Sequence, residues 1–273
     1  MRIGVITDTH LAPAGTEHFP WHTELQFETA AARYAGALRT LRRHGPDVLV
    51  VLGDLTHFGD GPSVKDFFDI TVAEAFCPIL LVPGNHDIPP SRDSLADAFD
   101  TLPTGRHRIV DAVRASLTAS GIPIHGVGLT PGETEGEYAG TRIPAPDQFA
   151  VVLSHYPILT LEEECAAAGL QYAGDLINRA DLERALHSSG CPTVAFTGHL
   201  HVRAAKASGN ILQIAFGALI EAPFDVAYVD IERNTPDGPT VRVQQLAPAT
   251  AARAALTDPT SSYSYGKEWT PTA

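Results

Sequence analysis

The stretch Pro78-Ile79-Leu80-Leu81-Val82-Pro83-Gly84-Asn85-His86-Asp87 decides the fold of this 273-residue chain. Its apolar first part predicts a buried strand, and the strand stops abruptly at a glycine. An amide, an imidazole and a carboxylate follow at once. The strand therefore delivers three polar side chains together at its carboxyl end.

Four other short clusters of ligand-type side chains follow apolar strands in the same way. They are Asp8-Thr9-His10, Gly53-Asp54, Ser154-His155 and Gly198-His199-Leu200-His201. Taken alone, each has an ordinary explanation as a strand-end cap, a turn or a hydrogen-bonded histidine. Five such clusters in one chain favour a common site.

The segments between these strands alternate between helical and extended patterns. Helices are predicted from Thr23 to Gly45, from Ser63 to Phe76, from Arg92 to Thr101 and from Asp175 to Ser189, and strands at 2–7, 48–52, 78–83, 122–127, 149–153 and 193–197. Such alternation predicts parallel strands with right-handed crossovers, whose carboxyl ends collect ligands. Residues 131–146 are rich in Gly, Pro, Thr and Glu and predict a long loop.

The last part of the chain has a different pattern. Short strands at 211–216, 225–231 and 240–246 predict an antiparallel finish and a second sheet packed on the first. From residue 247 to 273 the sequence is weakly patterned and rich in Ala, Thr, Ser and Pro, which predicts a surface-wrapping or disordered tail. We expect one α/β domain over residues 1–246.

Composition favours a cytoplasmic protein with a substantial core. The chain is 44% apolar, and no apolar stretch approaches the roughly 20 residues that span a bilayer. Its N-terminus runs straight into a strand-like segment, so neither a signal peptide nor a membrane partner is expected. Cys77, Cys165 and Cys191 are far apart and have small or apolar neighbours, which predicts buried thiols in a reducing compartment.

The charge balance limits the possible partners. The net charge is −13, and the only basic cluster is Arg39, Arg42 and Arg43, which argues against broad electrostatic binding to duplex nucleic acid. Bound cations would reverse the sign locally, so a nucleic-acid partner is possible but not favoured. The oligomeric state is left open.

The ligand-type clusters suit a pair of metal ions. Asp-x-His and His-x-His place both side chains on one strand face, because side-chain direction alternates with period two. Two ions about 3.5 to 4 Å apart need a shared ligand, and Asp54 is the candidate because each carboxylate oxygen can face one ion. Mixed His, Asp and Asn ligands suit Mn, Fe or Zn better than Ca or Mg.

The ordered set of clusters resembles the calcineurin-like metallophosphoesterase superfamily. The superfamily pattern of D-x-H, GD, GNHD, H and GH-x-H is matched in order between Asp8 and His201. The resemblance implies a four-layer αββα sandwich, in which two mixed β-sheets are flanked by helices. It also implies a phosphate-ester substrate, possibly a nucleotide, and two divalent or trivalent metal ions.

The resemblance assigns a role to each matched residue. One ion would be held by Asp8, His10, Asp54 and His201, and the other by Asp54, Asn85, His155 and His199. His86 would stabilise the pentacoordinate phosphorus and protonate the leaving oxygen, with Asp87 orienting its imidazole. The nucleophile would be a hydroxide bridging the two ions.

The branch of the superfamily stays undecided between two possibilities. Phe58 stands where the Ser/Thr protein phosphatases carry an Arg, and Asp87 stands where they carry a Glu, which argues against that branch. The cyclic-nucleotide phosphodiesterases have a similar size, although residues 122–146 lack their usual motifs. His57, three residues after Asp54, resembles the double-strand-break repair nucleases, but the acidic balance and short tail oppose a processive nuclease.

Residues around the motifs have two possible roles. His57 is either a substrate contact or a hydrogen-bond partner behind the ligands. The same choice, with scaffold favoured over substrate contact, applies to His18, Trp21, His22, Tyr156 and Arg203.

Hydrolysis of a phosphodiester, small or nucleotide-type, is the favoured function. The alternatives are a phosphomonoesterase, a DNA repair-type 3'-5' exonuclease or endonuclease, and a non-catalytic metal-dependent binding protein. His86 and Asp87 argue against the last, because they serve the chemistry rather than metal holding.

Overall fold

The computed structural model describes residues 1–17, 25–88, 94–101, 108–131, 136–145, 148–172, 174–236, 238–246 and 260–272. Five α-helices lie within these residues: α1 (Ala30–His44), α2 (Gly61–Glu74), α3 (Ser94–Thr101), α4 (Glu162–Ala167) and α5 (Arg179–Ser189). Strands of the first half are β1 (Arg2–Ile6), β2 (Val48–Leu52), β3 (Ile79–Val82), β4 (Ile109–Asp111), β5 (Leu117–Ala119), β6 (Ile122–Gly126), β7 (Gly128–Pro131) and β8 (Gly136–Gly140). Strands of the second half are β9 (Ala150–Leu153), β10 (Thr193–Thr197), β11 (Ala204–Ser208), β12 (Ile211–Ala215), β13 (Ala227–Glu232), β14 (Thr240–Gln245), β15 (Thr260–Tyr265) and β16 (Trp269–Thr272).

The strands form two mixed sheets and a small hairpin. The first sheet has the order β16-β15-β14-β13-β1-β2-β3-β4, with β1 to β4 parallel and β13 to β16 antiparallel. The second has the order β11-β12-β10-β9-β6-β5, in which β6, β9, β10 and β12 run parallel. β7 and β8 pair only with each other.

Alternation along β2 shows how the layers are built. Val50 and Leu52 belong to the core between the two sheets, together with Phe196 of β10. Leu49 and Val51 point to the other face, where they pack with the buried side of α1 and α2. On the outer face of the second sheet, α5 packs its buried leucines in the same way. The expected four-layer αββα sandwich is therefore confirmed.

Some local predictions differ from the structure. α1 begins at Ala30, after a 3-10 turn at Phe27–Thr29 in which Thr29 donates to the carbonyl of Gln26 from both its N–H and its hydroxyl. The loop expected at 131–146 contains β8. His18, Trp21 and His22 lie outside the described residues.

The end of the chain is not a tail from residue 260 onwards. β15 and β16 extend the first sheet by pairing with β14 and with each other. Tyr263 and Trp269 are buried against the core between the sheets, while the Ser and Thr residues around them are more exposed. Each of these two strands has only one buried aromatic side chain among polar residues, so neither has an apolar pattern that predicts a strand from the sequence. Residues 247–259 lie outside the described part of the chain.

No helix in the described residues has both the length and the apolar character that crossing a bilayer requires.

Candidate metal centre

Five strand ends bring the five sequence clusters together. Strands β1, β2 and β3 run parallel in the first sheet, and β9 and β10 run parallel in the second. Parallel strands present their carboxyl ends at one edge. The residues that follow them are Asp8 and His10 after β1, Asp54 after β2, Asn85 and His86 after β3, His155 after β9, and His199 and His201 after β10.

The backbone at this edge is held in a strained conformation. Seven non-glycine residues of the described chain have a positive φ, and five of them belong to the clusters. They are Asp8 (52°), His10 (44°), Asp54 (46°), His199 (69°) and His201 (56°). Each such residue destabilises the fold by on the order of 1–3 kcal/mol, and the rest of the structure must offset this cost to hold the side chains in place.

Glycines allow the loops to approach each other closely. A Cβ on Gly84 would overlap the backbone and carboxylate of Asp54, and one on Gly198 would overlap Thr7. A Cβ on Gly53 would collide with the ring of His155. The glycine before each ligand therefore serves packing between loops.

The first ligand cluster joins Asp8, His10 and His201. One ligand atom from each lies within 4.8 Å of the others, and His201 Nε2 is 3.4 Å from Asp8 Oδ1. Asp8 Oδ1 and His10 Nε2 are buried, and neither makes a hydrogen bond with any described residue. Buried polar atoms are normally satisfied, so this pair fits a bound cation.

The second cluster joins Asp54, His155 and His199, again with ligand atoms within 4.8 Å. Asn85 adds an oxygen, because its Oδ1 is 3.1 Å from His155 Nε2. His155 donates from Nδ1 to the carbonyl of Leu52 at 2.9 Å, so Nε2 is the ring nitrogen that could bind an ion.

Asp54 links the two clusters through one oxygen. Its Oδ2 is 3.2 Å from His155 Nε2 and 3.5 Å from His10 Nε2. Its Oδ1 instead accepts the backbone N–H of His86 at 3.0 Å. The expectation that each carboxylate oxygen faces one ion stays a prediction, and Oδ2 is the oxygen that lies near both clusters.

His86 is oriented by a backbone group rather than by Asp87. Its Nδ1 donates to the carbonyl of His57 at 2.8 Å. The Asp87 carboxylate turns inward and accepts the N–H groups of Leu55 (2.9 Å), Thr56 (2.8 Å) and Gly84 (2.9 Å). Asp87 thus ties the loop that follows β2 (the β2 loop) to the loop that follows β3 (the β3 loop), and its hydrogen bonds to described residues do not include one to the imidazole.

His57 lies between the first cluster and His86. Its Nδ1 is 3.1 Å from Nδ1 of His10, and its ring stacks on His86 at a centroid distance of 4.7 Å. His57 also lines the cavity above the ligands. This position allows either of the two roles expected for it.

Tyr156 and Arg203 are scaffold residues. Tyr156 is buried, its hydroxyl accepts the N–H of Gly136 at 3.1 Å, and its ring packs on His199. Arg203 is 1% exposed and forms a bidentate pair with Asp225, with both N–O distances 2.7 Å. Neither side chain lines the cavity.

Two neighbours of the ligands carry no sequence motif. Glu221, in the segment after β12, accepts Nδ1–H of His201 at 2.8 Å and is almost fully buried. The Tyr172 hydroxyl is 3.2 Å from His199 Nε2. The signal that could have pointed to Glu221 was weak, because it is one of two acidic residues, with Asp225, in the otherwise apolar stretch 214–226.

Protonation at the centre follows from burial and from the two aspartates. Burial lowers the pKa of His155, but Asp54 and Asp8 outweigh burial and raise it to about 9. The pKa of His201 rises to about 10 because Asp8 and Glu221 outweigh burial in the same way. Burial holds the pKa values of His10 and His199 well below the usual range.

Asp87 differs from the other acids of the site. Burial, followed by the charge of Asp54, raises the pKa of its carboxyl to about 6, although three backbone N–H groups oppose the rise.

A cavity of about 690 Å³ opens over the ligands. Beyond the ligand residues, His57, His86 and Glu221, it is lined by Leu25, Phe58, Leu170, Tyr172 and Leu200. Among these described lining residues there is no Lys or Arg.

The fold is shared with several solved structures. A dimetal phosphatase from Danio rerio matches with a TM-score of 0.61 and 13% identity, over 89% of this chain and 95% of that one. A purple acid phosphatase from yellow lupin seeds matches with a TM-score of 0.54 and 12% identity, over 90% of this chain and 51% of that one. GAP50, the anchor in the inner membrane complex of Plasmodium, matches with a TM-score of 0.51 and 10% identity, over 89% of this chain and 84% of that one.

At the level of sequence, comparison with curated proteins gives no match. The family model described as calcineurin-like phosphoesterase matches residues 1–203, which include every ligand-type cluster described above. The chain therefore belongs to the calcineurin-like phosphoesterase family.

Proposed function

We propose that the chain is a dinuclear-metal phosphodiesterase. The observation that supports this most strongly is the convergence of two ligand clusters on one oxygen of Asp54, beside an imidazole that lines the cavity. Because Nδ1 of His86 is held by a carbonyl, Nε2 is the ring nitrogen left to act in the cavity.

The two sites are proposed with the following ligands. Asp8, His10, Asp54 and His201 would hold one ion, and Asp54, Asn85, His155 and His199 would hold the other. Their nitrogen and oxygen donors favour Mn, Fe or Zn. Such an ion pair supplies a nucleophilic hydroxide at neutral pH and neutralises charge on the phosphate.

His86 is proposed as the catalytic acid. Protonated at Nε2, it gives its proton to the departing alkoxide, which is a poor leaving group at neutral pH. Asp87 supports this step indirectly. Its carboxylate fixes Gly84 and the β2 loop, and the carbonyl of His57 in that loop accepts the hydrogen bond that orients the imidazole.

The preference for a diester rests on charge. A monoester is a dianion near neutral pH, whereas a diester carries one negative charge. The described cavity lining offers no Lys or Arg beside the metal ligands, and Phe58 stands where the protein phosphatases place an arginine. A cytoplasmic location is also proposed, supported by the three buried thiols Cys77, Cys165 and Cys191.

The test is turnover by metal-reconstituted protein. With Mn, we expect bis-p-nitrophenyl phosphate to be hydrolysed at least about tenfold faster than p-nitrophenyl phosphate. Cyclic nucleotides, linear dinucleotides and single-stranded DNA complete the panel. Equal rates on the monoester would overturn the diester preference, and absence of metal-dependent turnover would support a binding protein instead.

Two variants test the assigned roles. His86→Ala should keep both ions and lose about 10²- to 10⁴-fold in kcat, the usual contribution of a positioned acid. Asp54→Ala should lose both ions, measured by metal analysis after gel filtration. Two ions still bound to Asp54→Ala would contradict the bridging role.

A further inference from the structure

Two large aromatic side chains are left exposed at the mouth of the cavity. Phe58 is 39% exposed and Tyr172 is 47% exposed, and both line the cavity. In the part of the chain that the structure describes, only six large hydrophobic side chains are exposed, so two of them gather at one opening. Exposed apolar surface concentrated at a cavity mouth marks a binding surface.

The two rings stand beside different parts of the ligand set. The Phe58 ring meets the edge of His57 at a centroid distance of 4.5 Å, and His57 in turn stacks on His86. The Tyr172 ring is 5.9 Å from the ring of His199, at the other cluster. A phosphate bound at the ions therefore has one ring on the side of the acid and one on the side of the second cluster.

The remaining wall is apolar and carries no described cation. Leu25, Leu170 and Leu200 complete the lining around the rings. The described residues of this wall offer no positive side chain to a polyanion, whereas a flat apolar group would be desolvated against them. The site therefore combines a centre for one phosphate charge with aromatic surfaces for its substituents.

We propose that Phe58 and Tyr172 are specificity-determining residues, which stack on aromatic ester groups of a monoanionic phosphodiester. This inference rests on the proposed function and names its substrate class as diesters that carry a planar ring, either an aryl group or a nucleobase. Aromatic pairs contribute about 0.5–1.5 kcal/mol beyond area burial, which corresponds to a factor of about 2 to 12 in affinity.

Equilibrium binding tests the proposal without turnover. Diphenylphosphinate and dimethylphosphinate are both monoanions and have no ester bond to hydrolyse. By calorimetry on Mn-loaded wild-type protein, we expect the diphenyl compound to bind at least about tenfold more tightly. Phe58→Ala and Tyr172→Ala should each reduce this ratio about 2- to 10-fold.

Matched variants separate the ring from other effects. Phe58→Tyr and Tyr172→Phe retain an aromatic ring and should keep the wild-type ratio, the latter even without its hydroxyl contact to His199. Val72→Ala removes an equally exposed apolar side chain of α2, remote from the cavity lining, and should also keep the ratio. Equal binding of the two phosphinates, or an unchanged ratio in both alanine variants, would overturn the proposal.

Turnover distinguishes the two ring sources. Thymidine 5'-(p-nitrophenyl phosphate), phenyl p-nitrophenyl phosphate and methyl p-nitrophenyl phosphate share one leaving group. Both esters that carry a second ring beside the p-nitrophenyl leaving group should exceed the methyl ester in kcat/KM, and the better of them identifies whether that second ring is an aryl group or a nucleobase. Activity on all three without discrimination refutes the inference alone, whereas phosphinate discrimination without any turnover refutes the proposed function alone.

Discussion

At the scale of single residues, Glu221 shows how the metal centre depends on groups behind the ligands. Its carboxylate accepts the Nδ1 proton of His201, so Nε2 is the nitrogen that faces Asp8 and is left to bind an ion once it loses its proton. A carboxylate in this position fixes the tautomer and makes the imidazole a stronger ligand. Because Glu221 is almost fully buried, water does not screen this effect.

Glu221→Gln should weaken metal binding about 10- to 100-fold, the usual cost of losing such a partner. The amide keeps the size of the side chain but removes its charge, so the loss reports electrostatics rather than packing. Competition with a metallochromic chelator measures it. Glu163→Gln on the exposed side of α4 is the control, and a Glu221→Gln protein with wild-type affinity would contradict the role.

The sequence points to the candidate ligands more clearly than to the side chains that contact them. Asp8, Asp54 and His155 were predictable because each follows an apolar strand in a fixed order. Glu221 and Tyr172 were not, because each is one residue in an irregular segment and acts through a contact formed only in three dimensions. The imidazole of His86 is held by a backbone carbonyl, and a side-chain motif does not encode that group.

At the scale of elements, the loops after the parallel strands are packed too closely for side chains at their glycines. Gly84 has an ordinary φ of −103°, so its requirement is steric rather than conformational. Its hydrogen atoms face the backbone and carboxylate of Asp54. The β3 loop can approach the β2 loop only because Gly84 lacks a Cβ.

Gly84→Ala should displace Asp54 and reduce metal content and turnover together, by at least about tenfold in metal affinity. Gly36→Ala is the matched control, because nothing lies within 4 Å of a Cβ at that position in α1. There the same substitution should be neutral or stabilising by up to about 1 kcal/mol. Metal titration compares the metal affinities of the two variants, and thermal melts compare their stabilities. Wild-type metal affinity in Gly84→Ala would refute the steric argument.

The C-terminal hairpin of β15 and β16 fastens the two sheets together. Trp269 begins β16 in the first sheet, yet its Nε1 donates to the carbonyl of Asn210 at 3.1 Å, in the turn between β11 and β12 of the second. Its ring packs with Phe149 of the core between the sheets. The Trp269 side chain thus links the first sheet to the second through one hydrogen bond and one ring contact.

Trp269→Ala should lower the free energy of unfolding by about 3–5 kcal/mol, the range for truncating a buried aromatic side chain. Urea denaturation measures the change. Trp269→Phe keeps a ring and should lose less, while metal affinity should be similar in all three proteins because the hairpin does not reach the ligands. A decrease in the free energy of unfolding below about 1 kcal/mol would mean that the hairpin does not contribute to the stability of the sandwich.

At the scale of the whole molecule, the alternation of helices and strands predicts the layers but not the order of strands. β1 lies in the interior of its sheet because it pairs with β2 on one side and with β13 on the other, where Val5 is opposite Ala227. No local pattern specifies a pairing between residues so far apart in the chain. The order follows from burying two apolar sheet faces against each other, a property of the complete chain.

Proton binding links the metal centre to the stability of the whole fold. In the metal-free chain the pKa values of His155 and His201 are raised to about 9 and 10, above the value of about 6.5 in an unfolded chain. Between about pH 6.5 and 9 the folded state therefore retains protons that the unfolded state has lost. Their contribution is complete below pH 6.5 and disappears as the pH rises through 9 to 10.

Metal ions bind the deprotonated ligands, so they release these protons and stabilise the fold more as the pH rises. We expect the melting temperature of chelator-treated protein to fall from pH 6.5 to 8.5, and its difference from Mn-loaded protein to widen over the same range. Calorimetric metal titration in two buffers of different ionisation enthalpy should show release of about two protons at pH 7.5, one from each histidine. A difference that narrows with rising pH, or binding without proton release, would show that Asp8 and Asp54 do not hold protons on these histidines before metal binds.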